Sequence, residues 1–592
     1  MKTGRVLGVI TILLLSAGVS CKPDSAGPFL KQGWMQEQRQ EFYHKSQGTQ
    51  LIPLSWLLAL TQKGGSEPFL ADANIAKFRF IPDAKHKFNE HGLPVGFAVT
   101  QVPMAEDTSK TVPVVGWTCA ACHTGQIVVK SKNDSKGKTI QIDGAPSMQN
   151  NLAFVDAMME ALGETIADDN KLEAFVKATM GVAAPGPEQK KGLKKKVEGL
   201  IDQLSMKPAV VAAKAKCTDK KMASKYADPN FSPVGNWGFG RIDAIGRASN
   251  SLFASMHPCN LEMADGQVSI PKVWNAWKYD WVQWNAFIEN PLARNLAQAI
   301  AVGANPDLEE PKTRTRTINL KALGWMEDQL QSLNPPHWED VFGPVDTKLA
   351  EEGKALYHKG RPNRPAKGGL CAHCHVPQSH LLKDCDGKAE WKVAMIPIDE
   401  VGTDETTVTN YTARLKKPTP NSGLPDPFQP AFALADTTSK VMADGFAVEK
   451  ILEPEQKRLQ RCRTNKWLTT KSYKAPSHEG VWATAPYLHN GSVPNLYLML
   501  STKDERDRQA KIFCVGHDLT YDPVNVGFVL NNECPDLFKL DTTLRNNGNK
   551  GHEFRNAKGC EKREGERGER GVLGCELSDR ERKALVEYLK TL

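Results

Sequence analysis

Two short segments of this chain have the residue types and spacing to hold a prosthetic group. Cys119-Ala120-Ala121-Cys122-His123 and Cys371-Ala372-His373-Cys374-His375 each place two thiols three positions apart, with a histidine directly after the second. Thiols at that spacing lie on one side of a helical turn. Each adds to one vinyl group of a haem, and the adjacent histidine reaches under the iron as proximal ligand. The pattern predicts two covalently bound haems c, one on Cys119, Cys122 and His123, the other on Cys371, Cys374 and His375. A zinc ribbon would need further ligand pairs close by, and a dithiol redox pair has no use for a histidine at both sites. His373 and His380 read as surface or loop residues.

The other cysteines point to an oxidising compartment. Of 13 cysteines, Cys21 and the four above leave an even remainder, which suggests disulfides in an exported chain. The expectation is pairing of sequence neighbours: Cys217–Cys259, Cys385–Cys462, Cys514–Cys534 and Cys560–Cys575. At the start of the chain, Lys2 and Arg5 precede an apolar stretch, Val6 to Leu15, then small residues and Cys21. This reads as an export signal of lipoprotein type over 1–20, with a possible lipid anchor at Cys21 and a periplasmic or extracellular location. The stretch is too short to span a bilayer, and a mean hydropathy of −0.44 excludes a multi-pass membrane protein. The net charge of +8 is mild for 592 residues and implies no nucleic-acid partner.

Several elements must position the two motifs. Residues 31–63 read as a leading loop with short helices, and 78–115 as strands and loops entering the first motif. Ile127 to Val129 and Thr139 to Ile142 look like a hairpin. Asn150 to Met180 has helical spacing, interrupted near Asp168-Asp169 and ended by Pro185 and Pro187. Lys190 to Lys196 is either a solvated helix face or a docking patch for an acidic partner. Trp274, Trp277, Trp281 and Trp284 would form one stripe on a helix, packed in the core or relaying electrons between haems. Asp346 to His358 and Ser578 to Leu592 read as amphipathic helices that cross over the second haem edge.

Further segments carry a resemblance. Ala485-Pro486-Tyr487-Leu488-His489-Asn490-Gly491-Ser492-Val493-Pro494 resembles the signature that follows the second haem in bacterial di-haem cytochrome c peroxidases. Gly240-Arg241-Ile242-Asp243-Ala244, Asp280-Trp281-Val282-Gln283-Trp284-Asn285, Gly402-Thr403-Asp404 and Asn549-Lys550-Gly551-His552-Glu553-Phe554 resemble the branch that includes the di-haem rubber oxygenases. The resemblance implies a mainly α fold with long irregular loops and a few short strands. Two cytochrome-c-like haem domains, 21–340 and 341–592, would pack together, each with insertions. It also implies an open iron at His123, and a second iron bound by His375 and by His552, with Met499 and then His517 as alternatives. His489 would position the second haem or the path between haems, or else make a structural hydrogen bond in its turn. Arg241 and Asp243 would pair near a haem propionate, or only structurally.

These readings describe an exported di-haem oxidoreductase. Its first haem reacts with peroxide or dioxygen, its second transfers electrons, and His123, His489 and Arg241 are the candidate working residues. Cleavage of a hydrophobic polymer such as polyisoprene and plain electron transfer are the alternatives. The partners are a small oxidant and a redox protein or hydrophobic substrate. The peroxidases place acid–base groups over the first iron, and no segment here has that pattern; His86, Glu90 and His91 are unmatched candidates. The rubber oxygenases line that space with apolar groups, for which Phe97, Phe239 and Phe253 are candidates.

Overall fold

A computed structural model of the chain describes residues 29–592 apart from 105–106, 108, 132–133, 307–316, 360–370, 386, 420–423, 517, 534–537, 559 and 561–567. The export signal, Cys21, His517 and Cys534 lie outside the described residues.

The first motif sits between strands. Phe97–Pro103 and Thr111–Trp117 pair antiparallel, with Ile52–Pro53 on the other side of the latter. The second of these strands ends just before Thr118, whose hydroxyl accepts from the Ala120 N–H and caps the turn Cys119–Cys122. Thr124–Ser131 then leaves the motif and pairs with Asp134–Asp143, the expected hairpin. The hairpin end is tied down by the helix Gln36–His44: Arg39 Nε donates to Asp143 Oδ2 at 2.6 Å, and the Tyr43 hydroxyl donates to Asp143 Oδ1. Next to it, the Gly144 N–H donates to the His123 carbonyl at 2.9 Å. A buried ion pair thus fixes the backbone that turns back onto His123.

The second motif follows a helix. Thr347–Tyr357 is capped by Asp346, and the Cys371 N–H donates to the Tyr357 carbonyl at 3.3 Å. Asp579–Lys590 begins with a capping box in which Ser578 and Glu581 satisfy each other's backbone N–H groups. The two helices pack face to face, as their sequence patterns predict. Their approach depends on Gly353: a Cβ there would lie 1.9 Å from the Ala584 carbonyl oxygen.

Helices Asn151–Ala167 and Asp169–Met180 divide at Asp168, which caps the second one, and Pro187–Ser205 follows as a separate helix carrying the lysine run. The largest core cluster joins residues from Leu30 and Trp34 through Met148 and Trp482 to Leu585 and Leu589, so both ends of the chain share one interior. Among the described residues, no helix is long and apolar enough to cross a membrane.

Two expectations are corrected. The fold is mixed, about 42% helix and 15% strand, because short two-stranded pairs occupy segments read as loop. The tryptophan stripe does not form on a helix: 274–284 is irregular apart from the one-turn Ala276–Lys278. Trp274 is buried with its N–H on the Glu479 carbonyl, whereas Trp284 donates to the Ser269 carbonyl, so backbone acceptors outside the segment override the helical spacing.

Disulfides join Cys217–Cys259, Cys385–Cys462 and Cys560–Cys575, as neighbour pairing predicts. Cys514 is also disulfide-bonded.

Substituting Gly353 by Ala is expected to force the two helices apart and cost about 1–3 kcal/mol, the usual range for overpacking. Urea unfolding of the two proteins measures it. An unchanged midpoint would mean that the crossing is not tight.

Candidate haem centres

The two motif histidines are held in the same way. His123 Nδ1 lies 2.9 Å from the Pro271 carbonyl oxygen, and His375 Nδ1 lies 2.8 Å from the Pro476 carbonyl oxygen. Both prolines stand just beyond a short strand, Val268–Ser269 and Ser472–Ala475. A carbonyl oxygen only accepts, so each Nδ1 carries the proton and each Nε2 keeps a lone pair. Burial lowers both imidazoles to about 4, so they are neutral at physiological pH. A neutral ring with its far N–H tied to a carbonyl is the usual preparation of a histidine for metal ligation.

The thiols agree. Burial raises Cys119 and Cys371 to about 12 and Cys122 to about 11. Dithiol redox pairs need the opposite shift, toward thiolate. Every disulfide described uses cysteines outside the two motifs.

Both motifs open into one continuous cavity lined by Cys119, His123, Cys371, Cys374 and His375. It holds about 2370 Å³ of empty space, its mouth included. His552 and His489 also line it, and so does Met499. The His552 ring centre lies 6.2 Å from that of His375, at an interplanar angle of 61°. Two imidazoles facing each other across one metal atom need about that separation: about 2 Å from each nitrogen to the metal, and about 1 Å more to each ring centre. Among the described residues, no second imidazole is paired with His123 in this way.

The segment bearing His552 is built for its place. Gly551 has φ +75, and a Cβ there would lie 2.3 Å from the Gly402 carbonyl carbon. His552 itself has φ 50, and its N–H donates to the Val401 carbonyl at 2.9 Å. The guanidinium of Arg506, fully buried, donates to the carbonyls of Leu498, Met499, Asn549, Gly551 and His552. One cation thereby locks the His552 loop to the Met499 turn.

His489 is buried. Its ring stacks on Tyr473 at 4.1 Å, its carbonyl accepts from the Ser269 N–H, and its Nε2 has no hydrogen-bond partner. Arg241 does not line the cavity and does not pair with Asp243. It donates to the Trp237 carbonyl and to Asn547 Oδ1, with Nη2 left over, while Asp243 caps the helix Ala244–Phe253. The ion pair fails because both partners find nearer neutral groups.

Several cavity residues carried no sequence signal. His478 stacks on His375 at 3.9 Å and is hydrogen-bonded to the Tyr357 hydroxyl at 3.0 Å. Lys272 and Lys474 are half-buried, and desolvation lowers both to about 7 against the pull of Glu479 and Asp280 respectively. Neither forms a salt bridge among the described residues: Lys272 donates to the Glu479 carbonyl, and Lys474 sits 4.7 Å over the Tyr279 ring. Arg294, Asn295, Gln298 and Glu327 line the cavity wall beside Cys119. The spacing of Arg294, Asn295, Gln298 and Glu327 resembles ordinary helix patterning, and His478, Lys272 and Lys474 stand in loop or strand segments without a motif, so only their convergence marks them.

Other candidates lie elsewhere. His86 shares Asp83 Oδ2 with His44, at 3.2 and 2.9 Å. Phe97 and Phe253 belong to other core clusters, Phe239 packs on Gly516, and none of the three lines the cavity. Of the four tryptophans, Trp284 alone does.

The residues fit haem c. Two ligand-ready histidines follow two half-buried thiol pairs, a third imidazole faces one of them, and two desolvated ammonium groups form no direct salt bridge among the described residues, a place that haem propionates would fill.

The site defines a cytochrome c-like protein, and the comparisons agree. Residues 472–510, which carry Pro476, His489, Met499 and Arg506, match the family described as RoxA-like, cytochrome c-like, which implies haem c. Over 95% of its length the chain is 31% identical to the uncharacterized protein y4iJ of Sinorhizobium fredii, covering 93% of that protein. It is 24% identical to the uncharacterized protein y4iM of the same bacterium, over 44% of this chain and 49% of that one. The chain belongs to the family of y4iJ.

The lysines predict a pH effect. In the folded chain without haem they lose protons near pH 7, and in the unfolded chain near 10.4. Between those values the unfolded state binds more protons, so stability rises with pH. Urea unfolding of haem-free protein at pH 7 and 9 should show the rise, and haem-loaded protein should not. Equal slopes would remove the lysines as propionate partners.

Proposed function

We propose that the chain is an exported di-haem c-type oxidoreductase. One haem is carried by Cys119, Cys122 and His123 and is open to peroxide or dioxygen. The other is carried by Cys371, Cys374 and His375, closed by His552, and passes electrons. The asymmetry of the two histidines supports this reading: both are prepared as ligands, and among the described residues only His375 has a facing imidazole.

Haem iron supplies reversible one-electron chemistry and, at an open position, binding of a small oxidant. The protein supplies the rest. Pro271 and Pro476 hold the proximal protons at Nδ1. Arg506 fixes the His552 backbone, so a second imidazole occupies the position that an oxidant would need. Lys272 and Lys474 offer charge to the propionates. Trp284 and the His489–Tyr473 stack line the space the two motifs share and are the groups through which electrons would pass. Arg241, away from the cavity, ties the Trp237 carbonyl to Asn547. His552 is preferred over Met499 because of its ring separation from His375. The disulfides support export, since such bridges persist in oxidising compartments. Domains 21–340 and 341–592 and a lipid anchor at Cys21 belong to the same reading.

Pyridine haemochrome assay should give two haems per chain, and the ferric protein should show one high-spin and one low-spin signal. Replacing His552 by Gly should make the second haem high-spin, with added imidazole restoring it and the first haem unchanged. A second-haem spectrum indifferent to H552G would reject His552. Two low-spin haems that ignore cyanide would leave a simple electron carrier.

A further inference from the structure

Resting on that reading of an open iron at His123, we propose that Glu327 accepts the proton of an O–H donor bound in the cavity, so that the first site takes a hydroperoxide, not dioxygen.

The argument begins with a carboxylate whose two oxygens are treated differently. Arg294, on the helix Pro291–Ala301, donates through Nη2 to Glu327 Oε2, on the helix Leu320–Gln329. Asn295 Nδ2 donates to the same oxygen at 3.3 Å. Asn295 Oδ1 in turn accepts from Arg294 Nε and Nη2 at 3.1 and 3.0 Å, which holds the guanidinium in place. Glu327 Oε1 is buried and has no hydrogen-bond partner. Its side chain is 5% exposed and that of Arg294 7%.

A buried carboxylate oxygen without a donor is costly, and such groups in folded proteins normally have one. Here the missing donor has a place to be, because Arg294, Asn295 and Glu327 line the cavity that also holds Cys119 and His123. Both charges are felt at the motif. Arg294 lowers His123 and opposes the rise of the Cys119 thiol, and Glu327 adds to that rise.

The chemistry of the oxygen then selects the ligand. A carboxylate oxygen accepts and does not donate. Dioxygen and a hydrocarbon chain have no proton to give it. A hydroperoxide, R–O–O–H, has one. Its O–H bond breaks, a new O–H bond forms at Glu327 Oε1, and the hydroperoxide anion is left facing the cavity. Charge is conserved, and no electron moves in this step. Arg294 and Asn295 are positioning residues: they occupy Oε2 and leave only Oε1 to react.

The test uses two probes on the haem-loaded chain. Hydrogen cyanide must shed a proton to bind ferric iron, and carbon monoxide binds ferrous iron with no proton transfer. Glu327→Gln should slow cyanide association about 10²-fold, the usual worth of one general base, and leave carbon monoxide association unchanged. Glu327→Asp keeps the charge opposite Arg294 and withdraws the carboxylate by one methylene. It should slow cyanide by a smaller factor and again spare carbon monoxide. Consumption of hydrogen peroxide should fall in the same order. Cyanide rates unchanged in both variants, or both probes slowed alike, would overturn the assignment. If the unsubstituted chain binds neither probe, the open iron itself is refuted, an outcome distinct from a failure of Glu327.

Discussion

The hydrogen bond from a histidine ring to a proline carbonyl is the constraint on which this structure turns. It occurs at both motifs, from His123 to Pro271 and from His375 to Pro476. Each bond fixes a tautomer and a ring orientation at once. Without it a buried imidazole could present either nitrogen to the cavity, and a ligand bond would have to offset that freedom. Much of the surrounding architecture serves to place these two carbonyls. Short strand pairs end beside them, and the Asp143 ion pair anchors the backbone behind His123.

The cavity shows a second pattern, desolvated charge without a direct salt bridge among the described residues. Lys272 and Lys474 are desolvated to the point of losing protons near neutrality, and Arg506 is buried among carbonyls. Desolvation of these ammonium groups costs free energy, which Glu479 and Asp280 offset in part. Carboxylates such as those on one edge of a haem would offset it further. Arg506 differs, since its needs are met by backbone acceptors. It is scaffold, and its function is to keep the His552 loop beside the Met499 turn.

The two halves of the site differ in chemistry. Around His375 the neighbours are rings: His478, His552 and Tyr357. Such a setting suits electron transfer, in which little should move. Around Cys119 and His123 a mostly apolar wall carries one polar group, Arg294, Asn295 and Glu327, that can hold and move a proton. Apolar side chains share that wall, among them Phe42, Ile270, Met326 and Leu330, whereas the phenylalanines considered for it, Phe97, Phe239 and Phe253, do not line the cavity.

Local features were legible in the sequence alone. Thiol spacing identified both motifs, because attachment is a matter of adjacent residues. Helix ends at Asp168, Asp346 and Ser578 were readable because capping is settled within one turn. Three disulfides followed neighbour pairing. Only the tertiary structure decided which distant groups converge. His552 was named only through a resemblance, nothing near His375 in the chain announces Pro476 or His478, and nothing about Arg294 and Glu327 separates them from residues on any amphipathic helix. The tryptophan spacing even suggested a helix that does not exist, since backbone acceptors elsewhere bind the indole N–H groups. The reason is physical: covalent attachment and capping depend on a few successive residues, whereas burial, orphaned hydrogen bonds and the spacing of rings across a cavity arise only once separate segments pack together.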